Sequence, residues 1–191
     1  MGPTSSLRFI GIMVICVGLN LGVGLIVTAT KAPVYLDSVG TLLATVLGGL
    51  WVGILCGLIS SIVGSVFTPT LWAYTGTMLV IGVYTWLLLP FGYLKKLRPT
   101  AILGIGLGVV CAIISAPVTT HLWTGVSLSG TDSVTAFFMA KGSSVLASVI
   151  LGNLSTDPID KLVTSFVALA LIRWIPVRFL GERTTQESTN I

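Results

Sequence analysis

The sequence predicts an all-α membrane protein with six transmembrane helices and an extra helical segment on the outer side between spans five and six. Three observations carry this reading. No charged side chain occurs between Asp37 and Lys95, a gap of 57 residues, nor between Arg98 and Asp132, a gap of 33. A helix needs about 20 predominantly apolar residues to cross the hydrocarbon core, so the gaps hold several spans. Hydrophobic residues make up 54% of the 191, charged residues 8%, and the mean hydropathy is +1.03, which excludes a water-soluble domain. Finally, the basic residues stand where apolar segments end: Arg8 before the first, Lys95, Lys96 and Arg98 after the fourth, Arg173, Arg178 and Arg183 after the last. Basic residues near span ends are retained on the cytoplasmic side, which places these clusters and both termini there.

Span one is read as Leu7–Ala29; its apolar run is too long for a cleaved signal peptide. Lys31, Pro33 and Asp37 form the loop that follows. Span two (Tyr35–Leu50) and span three (Trp51–Phe67) meet at Gly48-Gly49 with scarcely a loop. Thr68-Pro69-Thr70 breaks the chain before span four, Leu71–Leu94. Span five runs from Ala101 to about Leu122, with Pro117 inside it, and the last span from near Pro158 to near Pro176. Between them Ser133–Leu151 is apolar but interrupted by Lys141-Gly142-Ser143-Ser144. Counting it as a crossing would put Arg173, Arg178 and Arg183 opposite Lys95, Lys96 and Arg98. An outer-side segment keeps all of them on one face. Residues 1–181 thus form a single integral membrane domain, and 182–191 a flexible cytoplasmic tail.

Small residues recur at helical spacing: Gly18 and Gly22 on span one, Gly40, Ala44 and Gly48 on span two, Gly49, Gly53 and Gly57 on span three, Gly104 and Gly108 on span five. Such faces let helix backbones approach closely in lipid, either within the bundle or against a partner's helices.

The chemistry that is missing narrows the function. The chain has no GxxxxGK[ST] loop for ATP, no HExxH and no GxSxG, and His121 is its only histidine. Cys16, Cys56 and Cys111 lie in apolar runs without CxxC spacing and read as buried free thiols. The net charge of +4 is dispersed over span ends, which is not a nucleic-acid footprint. Nothing here supports an enzyme, a metal or a cofactor of the chain's own.

With the basic clusters inside, Tyr35, Asp37, Trp72, Tyr74, His121, Trp123, Asp132 and the stretch 153–161 fall near the outer face. The aromatics either form an interfacial belt or line a shared pocket that stacks a planar ring. Asp132, Lys141 and Asn153 are the candidates to hydrogen-bond the ring's edge, Lys141 reaching either the outer surface or a polar cavity. Asp157-Pro158-Ile159-Asp160 reads as a helix start: Asp157 the N-cap, Pro158 at the first position, Lys161 placed to pair with Asp157.

Tyr35-Leu36-Asp37-Ser38-Val39-Gly40-Thr41 opening span two, the glycine-rich helix to Gly64, the segment Ser127–Thr135 and the stretch Asp157–Arg178 together resemble the substrate-binding (S) component of energy-coupling factor vitamin transporters. The acidic residue beside Lys161 and Ile175-Pro176-Val177-Arg178 are similar to the riboflavin-type branch. The resemblance implies a multi-pass protein of the prokaryotic cytoplasmic membrane that binds one water-soluble vitamin or related micronutrient on the outer side. It further implies partners: a transmembrane scaffold and two ATPases, the partner subunits that use ATP. Family members show Ala-x-x-x-Ala in span one for docking on the scaffold; here Gly18-Leu19-Asn20-Leu21-Gly22 stands in its place. Gly18 and Gly22, with Gly49, Gly53 and Gly57, are the expected docking faces, and the loop around Pro33 the expected lid. A self-sufficient channel or secondary carrier is the alternative, motivated by the glycine-rich helices and by Lys141.

Overall fold

The structure, a computed structural model, describes residues 3–30, 34–127 and 131–175. Lys31 and Pro33, the expected lid, and Arg178, Arg183 and the tail 182–191 lie outside the described residues.

Among the described residues the regular structure is entirely helical: α1 (Pro3–Thr30), α2 (Val39–Gly48), α3 (Leu50–Gly64), α4 (Thr75–Leu88), α5 (Leu97–Trp123), α6 (Asp132–Ala140) and α7 (Val145–Trp174). Three stretches are long and apolar enough to cross a membrane: Leu7–Thr30, Pro69–Phe91 and Leu97–Trp123. Large apolar side chains such as Val66, Phe67, Ile102, Ile113 and Trp174 point away from the bundle. In water they would form an aggregation-prone surface; a multi-pass membrane protein presents such a surface to lipid.

Successive helices run in opposite directions, as their contacts record. Gly57 meets Met78 and Gly82 meets Gly53 between α3 and α4. Tyr74 bonds Thr119, and Gly106 lies under Tyr84, between α4 and α5. Asn153 bonds Ser115, and Gly104 meets Ser165, between α5 and α7. An apolar core including Leu42, Val46, Leu89, Tyr93, Leu107 and Ile172 fills the half of the bundle toward Tyr93 and Arg173. Cys16, Cys56 and Cys111 are buried, unbridged thiols.

Several boundaries differ from the sequence expectation, each for a physical reason. Span two begins only at Val39, because Leu36 takes a left-handed φ of 50° and keeps 34–38 out of the helix. A single residue, Gly49 at φ 83°, turns α2 into α3. Span four is composite: a 3-10 turn over Pro69–Tyr74, the α-helix, then a second 3-10 turn over Leu89–Phe91. Both 3-10 turns carry a proline in their first two positions.

The last helix is the main correction. It begins at Val145, not near Pro158, with Ser144 as N-cap accepting the N–H of Ala147 at 3.4 Å. The break at Lys141–Ser144 therefore separates the nine-residue α6 from a continuous α7 of 30 residues. Asp157 is not a cap; it sits mid-helix. Pro158 lies inside this helix, and α7 packs closely on α5 there: a Cβ at Gly108 would strike the backbone of Pro158 and Asp157. Lys161 turns to Asp160 and Asp37 rather than to Asp157.

The glycine faces divide. Gly53 packs on Thr45 of α2 and Gly57 on the backbone of Met78, so this face of α3 is used inside the bundle, contrary to a docking role. Gly18 and Gly22 have nothing within 4 Å and stand on the exposed side of α1.

Candidate ligand cavity

The bundle's other half, where α1 ends and α7 begins, is open inside. A cavity of about 620 Å³ lies among α1, α3, α4, α5, α7 and the segment 34–37. It meets the apolar core at Met78, Ile81 and Cys111. Its size falls within the range of small-molecule sites, roughly 300–1,000 Å³.

Asn20 forms one wall, a lone amide in an otherwise apolar span. Its Nδ2 donates to Thr41 Oγ1 at 2.9 Å and to Ser60 Oγ at 3.0 Å. Its Oδ1 accepts the N–H of Gly40 at 2.6 Å, satisfying a first-turn donor of α2 that the helix itself cannot. Residue 40 must be glycine for this approach, since a Cβ would run into the carbonyl of Cys16. One side chain thereby fixes α1 against α2 and α3.

The opposite wall is α7. Asn153, Asp157 and Lys161, four residues apart, lie on one helix face and all line the cavity. Asn153 Nδ2 donates to Ser115 Oγ at 3.0 Å, tying α7 to α5. Lys161 is 4% exposed. It pairs with Asp160 Oδ2 at 2.6 Å, donates to Ser38 Oγ at 3.1 Å and lies 3.8 Å from Asp37 Oδ1. Asp160, fully buried, accepts with its other oxygen the N–H groups of Tyr35 at 2.7 Å and Leu36 at 2.8 Å. A buried ion pair is tolerated only where further hydrogen bonds satisfy its remaining atoms, as they do here.

Hydroxyl contacts tie together the segments that surround the cavity. Tyr35 shares a hydrogen bond with Thr131 at 2.9 Å and Tyr74 with Thr119 at 2.8 Å. Asp132 Oδ1 accepts the N–H and the hydroxyl of Ser127, both at 3.0 Å. Ser61 bonds the carbonyl of Leu71 and the hydroxyl of Thr75, each at 2.8 Å, holding the 3-10 turn over the end of α3.

Of the nine side chains expected at a ligand site, Tyr35, Asp37, Tyr74, Asp132 and Asn153 line this cavity. Trp72, His121, Trp123 and Lys141 do not. Trp72 is 57% exposed and His121 is exposed. Trp123 is half-buried, with an indole N–H that has no partner among the described residues. Lys141 is exposed, its ammonium 5.5 Å from the ring centroid of Phe137. Asn20, Ser60, Ser61, Ser115 and Thr119, which the sequence reading did not name as ligand residues, also line the cavity, as do Asp157 and Lys161, which it read as a helix start. The signal for most of them was available, because a polar residue inside an apolar span is a functional candidate by default.

Compared with known proteins, the chain matches no family model, no curated protein and no solved structure.

Proposed function

We propose that the chain is the substrate-binding S component of an energy-coupling factor importer, capturing a water-soluble vitamin or related micronutrient for partner subunits that hydrolyse ATP. In this reading six helices cross a prokaryotic cytoplasmic membrane, α1 to α5 and α7. The helix α6 lies on the outer side and both termini are cytoplasmic. The observation that carries the reading is the one-sided interior: a cavity with polar and charged side chains set in a largely apolar lining in one half of the bundle, and a packed apolar core in the other. Among the described residues the cavity meets the packed core at Met78, Ile81 and Cys111, which favours capture over an open channel. The cavity lies away from Lys95, Lys96 and Arg98, which under the positive-inside rule supports an outward-facing site. Docking on the scaffold falls to the exposed Gly18/Gly22 face of α1, where another helix can approach closely.

Proteoliposomes containing this chain alone test the proposal. Binding without accumulation is the expected result, with ATP-dependent uptake once scaffold and ATPases are added. Accumulation by the chain alone would favour the secondary carrier instead.

A further inference from the structure

The charges facing the cavity are unequal. Three carboxylates, Asp37, Asp132 and Asp157, line it against one ammonium, that of Lys161, leaving two formal negative charges among the described lining residues. Lys161 already faces two carboxylates: it donates to Asp160 at 2.6 Å and to Ser38 at 3.1 Å, and Asp37 lies 3.8 Å from its ammonium. Asp132 is served by the N–H and hydroxyl of Ser127. Asp157 differs from all of these. It is 6% exposed, in the middle of α7, and among the described residues it has no cation within ion-pair distance. Its hydrogen bond from its neighbour Thr156 is long, 3.4 Å. A carboxylate buried in a membrane bundle is costly unless something of opposite charge meets it.

We propose that the cavity selects a ring compound bearing a cationic or readily protonated nitrogen, which sets that nitrogen against Asp157 and its ring against the tyrosines and the apolar wall. This rests on the substrate-capture reading and adds the charge of the substrate. Tyr35 and Tyr74 offer ring faces and hydroxyls, and Leu21, Leu25 and Met78 offer an apolar surface. Aromatic faces attract cations, most strongly where water is excluded. The one ammonium that could instead recognise an anion is largely engaged, since Lys161 donates to Asp160 and Ser38 and has a second carboxylate, Asp37, 3.8 Å away.

A matched set of probes tests this on the full chain in detergent: 1-methylnicotinamide (cation), nicotinamide (neutral) and nicotinate (anion), which share one ring and differ in charge. Equilibrium binding is expected to favour the cation over the neutral compound by about tenfold or more, with the anion weakest. In Asp157→Asn, whose side chain keeps the shape and loses the charge, the cation and the neutral compound should bind alike. Equal affinities in the wild-type chain, no measurable binding of the cation, or a preference unchanged in Asp157→Asn would overturn the proposal. A preference for nicotinamide would mean that Asp157 carries a proton and donates it to a neutral ring, which also overturns it. None of these results depends on transport. Failure of the charge preference is therefore distinct from failure of the capture reading, which accumulation by the chain alone would reveal.

Discussion

Asp160 accepts the backbone N–H of Leu36 at 2.8 Å across 124 residues of sequence. The same oxygen takes the N–H of Tyr35, and the other oxygen pairs with Lys161. Leu36 holds a left-handed φ of 50°, a conformation that a leucine does not favour and that its surroundings must therefore impose. One buried carboxylate thus sets the chain between α1 and α2, the wall of the cavity that carries Tyr35 and Asp37. Asp160→Ala leaves Lys161 without its nearest partner and two N–H groups unsatisfied. Loss of one member of a buried pair costs about 3–5 kcal/mol. The unfolding midpoint in detergent should fall accordingly. A double change to Asp160→Leu with Lys161→Met should recover part of that loss, because the buried ammonium goes with its nearest carboxylate, while the cost of leaving Asp37 without its cation keeps the recovery incomplete.

Glycine positions should respond to alanine according to what a Cβ would meet. At Gly108 it would strike the backbone of Pro158, and Gly108→Ala should destabilise by about 1–3 kcal/mol, the usual range for overpacking. At Gly18 nothing lies within 4 Å, and Gly18→Ala should leave the unfolding midpoint unchanged. Denaturation in a single detergent checks both.

The same contrast extends to leucine and to uptake. Gly18→Leu and Gly22→Leu should fold and bind ligand normally, yet abolish ATP-driven uptake in cells that supply the partner subunits. Gly53→Leu should fail earlier, at folding, since its face is filled by Thr45. Normal uptake by the Gly18→Leu and Gly22→Leu proteins would assign that face of α1 to lipid.

Topology is open to labelling. With six crossings and both termini inside, a cysteine placed at position 183 should resist a membrane-impermeant thiol reagent applied outside the cell and react once the membrane is opened. Cys16, Cys56 and Cys111 are buried and should give little background. Labelling from outside would contradict six crossings with both termini inside.

What could be read in advance, and what could not, follows from the range of the forces involved. Charge-free stretches and the breaks at Gly49, Thr68-Pro69-Thr70 and Lys141–Ser144 are local signals, and they located the helices. Pro158 misled, because proline at the first turn is the usual rule, and the glycine on α5 against which it packs is 50 positions away in sequence. Starting the helix there hid the spacing of Asn153, Asp157 and Lys161, which at four-residue intervals share one face. Tyr35 and Tyr74 belong to the cavity while Trp72 and His121 do not, and nothing in composition separates them: an interfacial belt and a pocket use the same residues. Gly53 and Gly18 likewise have the same spacing pattern, and only the neighbouring helices decide which face is covered.

The most direct test of the cavity as the binding site is native mass spectrometry of the full chain purified from cells grown in rich medium. The account predicts a non-covalently bound small molecule that Trp72→Ala and Lys141→Ala retain. Asn153→Ala, which removes a polar group from the cavity wall and leaves Ser115 without that partner, should release it, with affinity lower by about tenfold or more. A bound molecule that survives Asn153→Ala and Asp157→Asn but is lost in Trp72→Ala or Lys141→Ala would contradict the account and move the site to the exposed outer surface.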